Sequence, residues 1–208
     1  MRLGSAALLL GLIALVAFIL GSVQTLRLVP KVAKVTEVRG EVLALLPPRL
    51  GRPERTMPLK VGSLVLTGTE IRTGVDSSVS LHWADEVTLK IGPKSKLKVT
   101  RSRFDRATKA LEAIFRLGIG SVFVKLQKSL TPQSVVELET PGVTAAVRGT
   151  AFWAEVNQIG ETLIRVSEGI VSLRPRLGNR LNLKANDSVL FAPSGRLLRS
   201  GVTVPPEG

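Results

Sequence analysis

Apolar and polar residues alternate along most of the chain in short segments, and helical periodicity is nearly absent. Between Val32 and Leu173 these segments are rich in β-branched residues and are separated by Gly, Pro, Asn, Asp and Ser. This spacing is typical of antiparallel strands joined by tight turns. The pattern predicts an all-β fold, in which an antiparallel meander forms a sandwich or a short β-solenoid.

The predicted strands occupy most of the chain after residue 31. They are Val32–Val38, Arg39–Leu45, Leu59–Val65, Leu66–Gly74, Ser78–Trp83, Glu86–Ile91, Ser121–Leu126, Ser134–Thr140, Val143–Val147, Ala151–Val156, Thr162–Val166, Ile170–Leu173, Ser188–Ala192 and Arg196–Leu198. Proline cannot donate to a sheet ladder, so the four prolines of Pro47–Pro58 predict a surface loop. Arg174–Arg180 is predicted to be a second, basic loop.

Ala107–Leu117 has two interpretations. Its content of Ala, Leu and Glu favours a helix. However, Leu111, Ala113 and Phe115 recur at every second position, as in a half-buried strand. We predict a strand, because the neighbouring segments are strand-like and the chain continues directly into Ser121–Leu126.

The large aromatic residues are predicted to lie in the core or at its edge. This prediction concerns five of the eight Phe and Trp residues: Trp83, Phe115, Phe123, Phe152 and Trp153. Adjacent residues of a strand face opposite sides of a sheet, so one residue of the pair Phe152 and Trp153 is expected to be exposed.

The beginning of the chain has a different pattern. Leu3–Val23 carries no charged residue and has about the 20 residues that a helix needs to cross a bilayer. We interpret it as a transmembrane helix that remains as an uncleaved anchor, with a removed signal peptide as the alternative. The predicted organisation is a membrane anchor or signal segment (1–26), a β domain (32–200) and a flexible tail (201–208). The β domain is expected outside the cytoplasm, in the periplasm or cell envelope.

The composition argues against most enzyme chemistries. The chain has 208 residues, no cysteine and one histidine, which excludes disulfides, thiolate metal sites and cysteine nucleophiles. His82 lacks the spaced partners of a catalytic triad, and nothing sets up Glu137 and Glu139 as an acid and a base. We predict no enzyme activity, no cofactor and no metal. The alternative, a hydrolase of an envelope polymer, would use His82 or a carboxylate pair.

Positive charge is concentrated in one region. There are 29 Lys and Arg against 16 Asp and Glu, a formal net charge of +13. The predicted basic stripe consists of Lys94, Lys96, Lys98, Arg101, Arg103 and Arg106. Alternate spacing would place several of these side chains on one strand face. Three interpretations stay open: a solvated face, a contact for anionic lipid or envelope polymer, and a contact for nucleic-acid phosphate. Nucleic acid is less favoured, because only Phe104 interleaves the cluster.

Several short motifs follow one another along the chain. They are Val38–Val42 (VRGEV), Leu59–Val65 (LKVGSLV), Thr69–Ser78 (TEIRTGVDSS), Leu89–Leu97 (LKIGPKSKL), Glu139–Phe152 (ETPGVTAAVRGTAF) and Val166–Val171 (VSEGIV). In this order they resemble the FecR domain, an extracytoplasmic β module of bacterial envelope proteins. The family motif is identified at Arg148, Gly149, Thr150 and Phe152. Arg148 either satisfies carbonyls or an acidic group within the fold, which we favour, or faces a ligand.

The resemblance implies a role in binding. The best-known members, iron-transport regulators, carry a cytoplasmic anti-sigma region before the membrane helix, whereas only Met1 and Arg2 precede the apolar segment here. The expectation is therefore a membrane-anchored extracytoplasmic module that acts as an envelope scaffold or sensor. Its expected partner is an envelope or membrane protein, with anionic lipid or envelope polymer as a further contact. A membrane-associated nucleic-acid-binding protein, for instance in DNA uptake, is the alternative.

Overall fold

The computed structural model describes residues 28–48, 53–83, 87–127 and 131–202. In these ranges the chain forms eighteen strands and no helix, which confirms the predicted all-β class. The predicted membrane segment Leu3–Val23 and residues 203–208 of the tail lie outside the described residues. No helix with the length and apolar character for crossing a bilayer occurs in the described ranges.

The strands are short, with two exceptions of ten and seventeen residues. They are β1 (Leu28–Pro30), β2 (Ala33–Arg39), β3 (Val42–Leu46), β4 (Arg55–Pro58), β5 (Leu64–Val65), β6 (Glu70–Thr73), β7 (Ser78–Trp83), β8 (Val87–Ile91), β9 (Lys96–Asp105), β10 (Ala110–Leu126), β11 (Val135–Glu139), β12 (Val143–Val147), β13 (Ala151–Val156), β14 (Thr162–Glu168), β15 (Ile170–Pro175), β16 (Leu181–Lys184), β17 (Asp187–Phe191) and β18 (Leu197–Val202).

The strands form two layers that share β10. Sheet A has the order β4-β3-β6-β9-β10-β11-β12-β15-β16, with β1 also paired to β9. Sheet B has the order β5-β2-β7-β8-β10-β13-β14-β17-β18. The first part of β10 pairs in sheet A and the part after Ile119 pairs in sheet B. The helical alternative for Ala107–Leu117 is therefore excluded, because Ala110–Leu117 lies within β10.

The predicted antiparallel meander is wrong in one respect. β10 and β11 are parallel, with Glu112 opposite Val135 and Arg116 opposite Glu139. The physical reason is the crossing of β10. The chain leaves β10 in sheet B and re-enters sheet A beside the start of the same strand, so β11 runs in the same direction.

The core lies between the inner faces of the two sheets. Alternate positions of most strands are buried, and residues of both sheets belong to one hydrophobic cluster. Trp83 of sheet B meets Phe115 of sheet A edge-on, with ring centroids 5.0 Å apart. The indole Nε1 of Trp83 donates to Ser102 Oγ at 3.0 Å. This buried bond links the two layers and satisfies the polar atom of the largest core side chain.

Glycine and serine make the crossing of β10 possible. Gly120 has a φ of +95°, and a Cβ added there would lie 2.6 Å from Ser95 Cβ and closer still to its Cα. Ser95 Oγ accepts from the Ser121 N–H at 2.9 Å, and Thr73 Oγ1 accepts from the Ser95 N–H at 2.9 Å. The segment Gly92–Ser95 of the family resemblance therefore has a structural role, because its serine holds the point where β10 changes sheet.

Several predicted boundaries are wrong. The predicted strand Leu66–Gly74 is shorter, because Thr67–Gly68 form a turn and β6 begins at Glu70. Gly201 and Val202 of the predicted tail belong to β18. Arg55–Pro58, predicted as loop, is β4 at the edge of sheet A, a position where a missing proline N–H is tolerated. Of the predicted strand Leu59–Val65, only Leu64–Val65 pairs, because Val61–Gly62 form a turn. The predicted loop Arg174–Arg180 begins later, since Arg174 and Pro175 belong to β15.

Candidate binding surfaces

The predicted basic stripe lies on the outer face of sheet A. β9 directs Lys96, Lys98, Arg101 and Arg103 away from the core. Two alternating sets share this face because the register shifts at Thr100, where Ile114 pairs with Arg101 but Phe115 pairs with Val99. Such a bulge adds one residue to a strand, so the exposed positions are even-numbered before Thr100 and odd-numbered after it. Lys94 and Arg106 lie in the turns before and after β9 and are exposed.

Part of this charge is neutralised by the neighbouring strand. Glu112 of β10 accepts from Arg101 at 2.6 Å and from Arg103. Partial burial raises the pKa of Glu112, but the hydrogen bonds and charges of the two arginines outweigh it and lower the pKa below its usual value. The hydrogen bond to Glu112 also raises the pKa of Arg101. Arg101 and Arg103 are therefore only partly available for an external anion.

Three of the four remaining cations of the stripe form a compact group, and the fourth, Arg106, lies in the turn after β9. Lys94, Lys96 and Lys98, here called the lysine cluster, are exposed and make no ion pair with any described residue. Elsewhere on the same face Arg116 pairs with Glu139 at 2.7 Å. Most of the positive charge of the stripe that lies outside these ion pairs is thus at its N-terminal end.

The family motif divides into buried and exposed parts. Thr150 and Phe152 are buried, and the Thr150 carbonyl accepts from the Leu126 N–H at 2.9 Å. Gly149 has a φ of +60°, so it makes the bend between β12 and β13. Arg148 is exposed and has no hydrogen bond or ion pair with any residue in the described ranges. We favoured an arginine that is hydrogen-bonded within the fold, but the described ranges contain no such partner for Arg148.

The turn before the motif is tightly packed. Thr140 Oγ1 donates to the Val143 carbonyl at 2.7 Å and accepts from Thr162 Oγ1 at 3.1 Å. A Cβ on Gly142 would collide with the carbonyl oxygen of Ala192. The segment Thr140–Gly142 therefore serves the fold, because its residue types are required for close contact between β11, β12 and the end of β17.

An aromatic surface lies on the outer face of sheet B. Phe123 and Trp153 are cross-strand neighbours of β10 and β13, and their ring centroids are 4.7 Å apart with a tilt of 40°. Trp153 is 39% exposed, whereas Phe152 is fully buried, which confirms that one of the pair is exposed. Lys90 pairs across from Phe123, and Arg165 pairs across from Trp153. We call these four residues and Lys125 the aromatic platform.

An apolar cleft of about 400 Å³ opens beside β15 and β18. Its walls include Pro175, Leu177, Phe191 and Leu197, and Arg196 is the one charged residue among them. A cleft with so few polar groups offers no acid, base or nucleophile. It gives no support to catalysis.

The candidate catalytic groups are not assembled into a site. His82 lies on the outer face of β7, and its imidazole makes no hydrogen bond or ion pair with any residue that the structure describes. Glu137 and Glu139 share a face as predicted, but each pairs with an arginine, Arg174 at 3.6 Å and Arg116 at 2.7 Å. Within the described ranges no group of His, Asp and Glu is arranged to hold a metal ion.

A two-layer all-β module with exposed cationic and aromatic surfaces is the class that this geometry defines. The family model described as FecR protein matches residues 69–172, half of the 208-residue chain. The chain therefore belongs to the FecR family, as the order of its motifs predicts. The match includes β10 with its crossing and all four residues of the motif that contains Arg148.

Two solved structures have a similar fold. Both are crystal structures of a proposed anti-sigma factor from Parabacteroides distasonis ATCC 8503, at 2.50 Å and 1.65 Å resolution. They are 13% and 14% identical to this chain, with TM-scores of 0.51 and 0.52. Each match covers 64% of this chain and 59% of the other chain, and at this identity the likeness shows the fold alone. A comparison with curated proteins found no match.

Sequence reasoning missed the aromatic platform as a unit. It assigned Phe123 and Trp153 to the core or its edge, although the burial of Phe152 already predicts that Trp153 faces outward. The signal that was lacking is the register between β10 and β13, which brings Phe123 beside Trp153. Lys90 and Arg165 come from two further strands, and no local pattern connects them.

Proposed function

We propose that the chain is a non-catalytic FecR-family module that binds a protein partner at the cell envelope and acts there as a sensor or scaffold. The observation that carries this proposal is the family match over residues 69–172. The names of the similar structures, which refer to an anti-sigma factor, are consistent with a regulatory role. The exposed, unpaired Arg148 supports a contact at the end of the module where the family motif lies.

The membrane location is part of the same proposal. Leu3–Val23 carries no charged residue over about the length that spans a bilayer, and we place the β domain outside the cytoplasm. Protease added to intact spheroplasts should digest the β domain, while a cytosolic control protein stays intact. Protection of the domain until the membrane is broken would refute the export. Release of the chain by a high-salt wash would refute the anchor.

The partner contact can be tested at Arg148. A photo-crosslinking residue placed beside Arg148 should capture a discrete envelope protein in intact cells, and Arg148→Ala should abolish that product. Arg180→Ala is a matched control, because Arg180 is also exposed but lies in the loop after β15. Unchanged crosslinking of Arg148→Ala would refute the proposed contact. Loss of crosslinking in both variants would show that overall charge, and not this site, governs it.

The lysine cluster favours a second candidate function, contact with an anionic polymer. Replacing Lys94, Lys96 and Lys98 by Gln should weaken binding to anionic envelope material more than replacing the scattered, exposed Lys60, Lys109 and Lys184. Both triple variants lower the net charge of +13 by the same amount. Equal losses of affinity in the two triple variants would show that binding depends on the net charge of the protein and not on the lysine cluster.

The same two triple variants test the nucleic-acid alternative. For double-stranded DNA the logarithm of the binding constant falls with the logarithm of salt by roughly 0.9 for each phosphate contacted. If DNA binds at the lysine cluster, substitution of its three lysines should reduce that slope by roughly 3. Absence of DNA binding by the unmodified chain would exclude this alternative.

A further inference from the structure

The outer face of sheet B carries an apolar surface that no described part of the chain covers. Phe123 and Trp153 touch each other across β10 and β13, and Trp153 is 39% exposed. The two rings are tilted by 40° and pack against each other; this aromatic pair is here called the plate. Tryptophan is enriched at binding interfaces, so the partly exposed Trp153 beside Phe123 is a candidate for recognition.

Cations bound this plate on three sides. Lys90, Phe123, Trp153 and Arg165 form one row across four neighbouring strands. With strands spaced about 4.8 Å apart, the two cations of the row are separated by about 14 Å. Lys125 stands two positions along β10 from Phe123, on the same face.

These cations are free to bind a ligand. Lys90, Lys125 and Arg165 have no ion pair with any residue in the described ranges. Nε of Arg165 is buried and lacks a hydrogen-bond acceptor there, so a ligand would have to bind the two terminal nitrogens of this guanidinium. A guanidinium without an acceptor can bind a carboxylate through two parallel hydrogen bonds.

We propose that the aromatic platform binds an acidic polysaccharide. The C–H face of a sugar ring packs on the plate of Phe123 and Trp153, and carboxylates of the polymer bind Arg165, Lys90 and Lys125. This inference rests on the proposed envelope location, where such a polymer would meet the module. The site is distinct from Arg148 and from the lysine cluster, which lies on the outer face of the other sheet.

The arrangement of the rings favours a sugar over a nucleic acid. Single-stranded nucleic acids are bound by several aromatic side chains on which successive bases stack. Phe123 and Trp153 are in contact, so they provide one stacking position and not a series. Glu155, on the same face two positions from Trp153, directs an acidic ligand towards the side that carries Lys125.

Trp153 itself provides the readout. The chain has two tryptophans, and Trp83 is fully buried, so quenching by acrylamide reports mainly on Trp153. The full-length chain in mild detergent is titrated with a hexamer of galacturonic acid. Neutral cellohexaose, a thymidine octanucleotide and phosphatidylglycerol vesicles are titrated in parallel. We expect protection of Trp153 by the galacturonate hexamer and by none of the other three.

Substitutions divide the site into its two components. Trp153→Ala should weaken binding of the galacturonate hexamer about tenfold or more, the size expected for one lost stacking contact, as measured by calorimetry. Trp153→Phe should keep most of the affinity and so separates stacking from misfolding. Arg165→Gln should weaken binding and reduce its salt dependence, whereas Arg199→Gln on β18 should do neither.

Each contrary outcome overturns the proposal. Failure of the galacturonate hexamer to bind, or equal binding by Trp153→Ala, removes the site. Equal binding of cellohexaose removes the role of the cations. Preferred binding of the oligonucleotide or the vesicles identifies a different occupant, as does a protein adduct formed by a photo-crosslinker at position 153 in cells. Because these titrations use purified protein, their failure leaves the Arg148 contact standing, and a failed Arg148 test leaves them interpretable.

Discussion

Replacement of Gly120 by alanine should destabilise the fold more than replacement of any open glycine in a similar conformation. Gly120 has a φ of +95°, and an added Cβ would overlap the backbone of Ser95. A left-handed conformation costs an L-residue about 1–2 kcal/mol. Displacement of Ser95 would also weaken its bonds with Ser121 and Thr73, each worth about 1 kcal/mol. The free energy of unfolding should therefore fall by about 3–4 kcal/mol.

Gly62→Ala is the matched control. Gly62 has a φ of +88°, and a Cβ there would meet nothing within 4 Å. This variant carries the same backbone cost and the same gain from a less flexible unfolded chain, so those contributions cancel in the comparison. It should lose about 1–2 kcal/mol, and the difference from Gly120→Ala should be about 2 kcal/mol.

Urea unfolding followed by the fluorescence of buried Trp83 measures this difference. With a slope of about 2 kcal/mol per molar urea, the midpoint of Gly120→Ala should lie about 1 M below that of Gly62→Ala. Equal midpoints would refute the argument, because they would show that the Ser95 contact does not hold the crossing of β10. A change of slope would instead indicate that the two sheets unfold separately.

Three further predictions follow from the buried and paired side chains. Ser102→Ala should lower the free energy of unfolding by about 1–3 kcal/mol, since the indole N–H of Trp83 loses its acceptor; a change below 0.5 kcal/mol in urea titrations would contradict a buried unsatisfied donor. Phe115→Ala should cost about 3–5 kcal/mol because the ring is fully buried, whereas Phe123→Ala on the outer face should cost much less, and a reversed order would refute the assignment of faces. The pKa of Glu112 is lowered in the folded protein, so its ion pairs stabilise the fold above the ordinary pKa of 4.5, and this stabilisation is lost as pH falls through the folded pKa. Glu112→Gln should therefore be less stable than the parent by about 0.5–1 kcal/mol near neutral pH and equally stable in acid. A difference that does not change with pH would exclude a contribution from ionised Glu112.

Residue alternation predicted most of the strands but not their partners, and it missed β4 and β16. Ala110–Leu117 was assigned correctly despite its helical composition, because every second residue is apolar and these residues now fill the core. The parallel pairing of β10 with β11 has no local signal, since it depends on the route of the chain between the sheets. β4 was predicted as loop because proline is found both in loops and in edge strands, and the sequence does not distinguish the two positions.

A candidate surface could be predicted from the sequence only where all of its residues lie on one strand. Alternate spacing placed Lys96 and Lys98 on one face, and the structure agrees. The neutralisation of Arg101 and Arg103 could not be located in advance, because Glu112 reaches them only through the pairing of β9 with β10. The environment of Trp153 likewise comes from four strands. Function at the lysine cluster, at Arg148 and on the aromatic platform stays a prediction until it is measured.

The continuity of β10 has a mechanical consequence. Both sheets are hydrogen-bonded to the same strand, β10. A force applied to a ligand at Trp153 is therefore transmitted along β10, through Gly120, to the strands that pair near Arg116, without passing through a loop. Cleaving the chain at that glycine would leave each fragment with unpaired strand edges. A displacement of one sheet is therefore transmitted directly to the other.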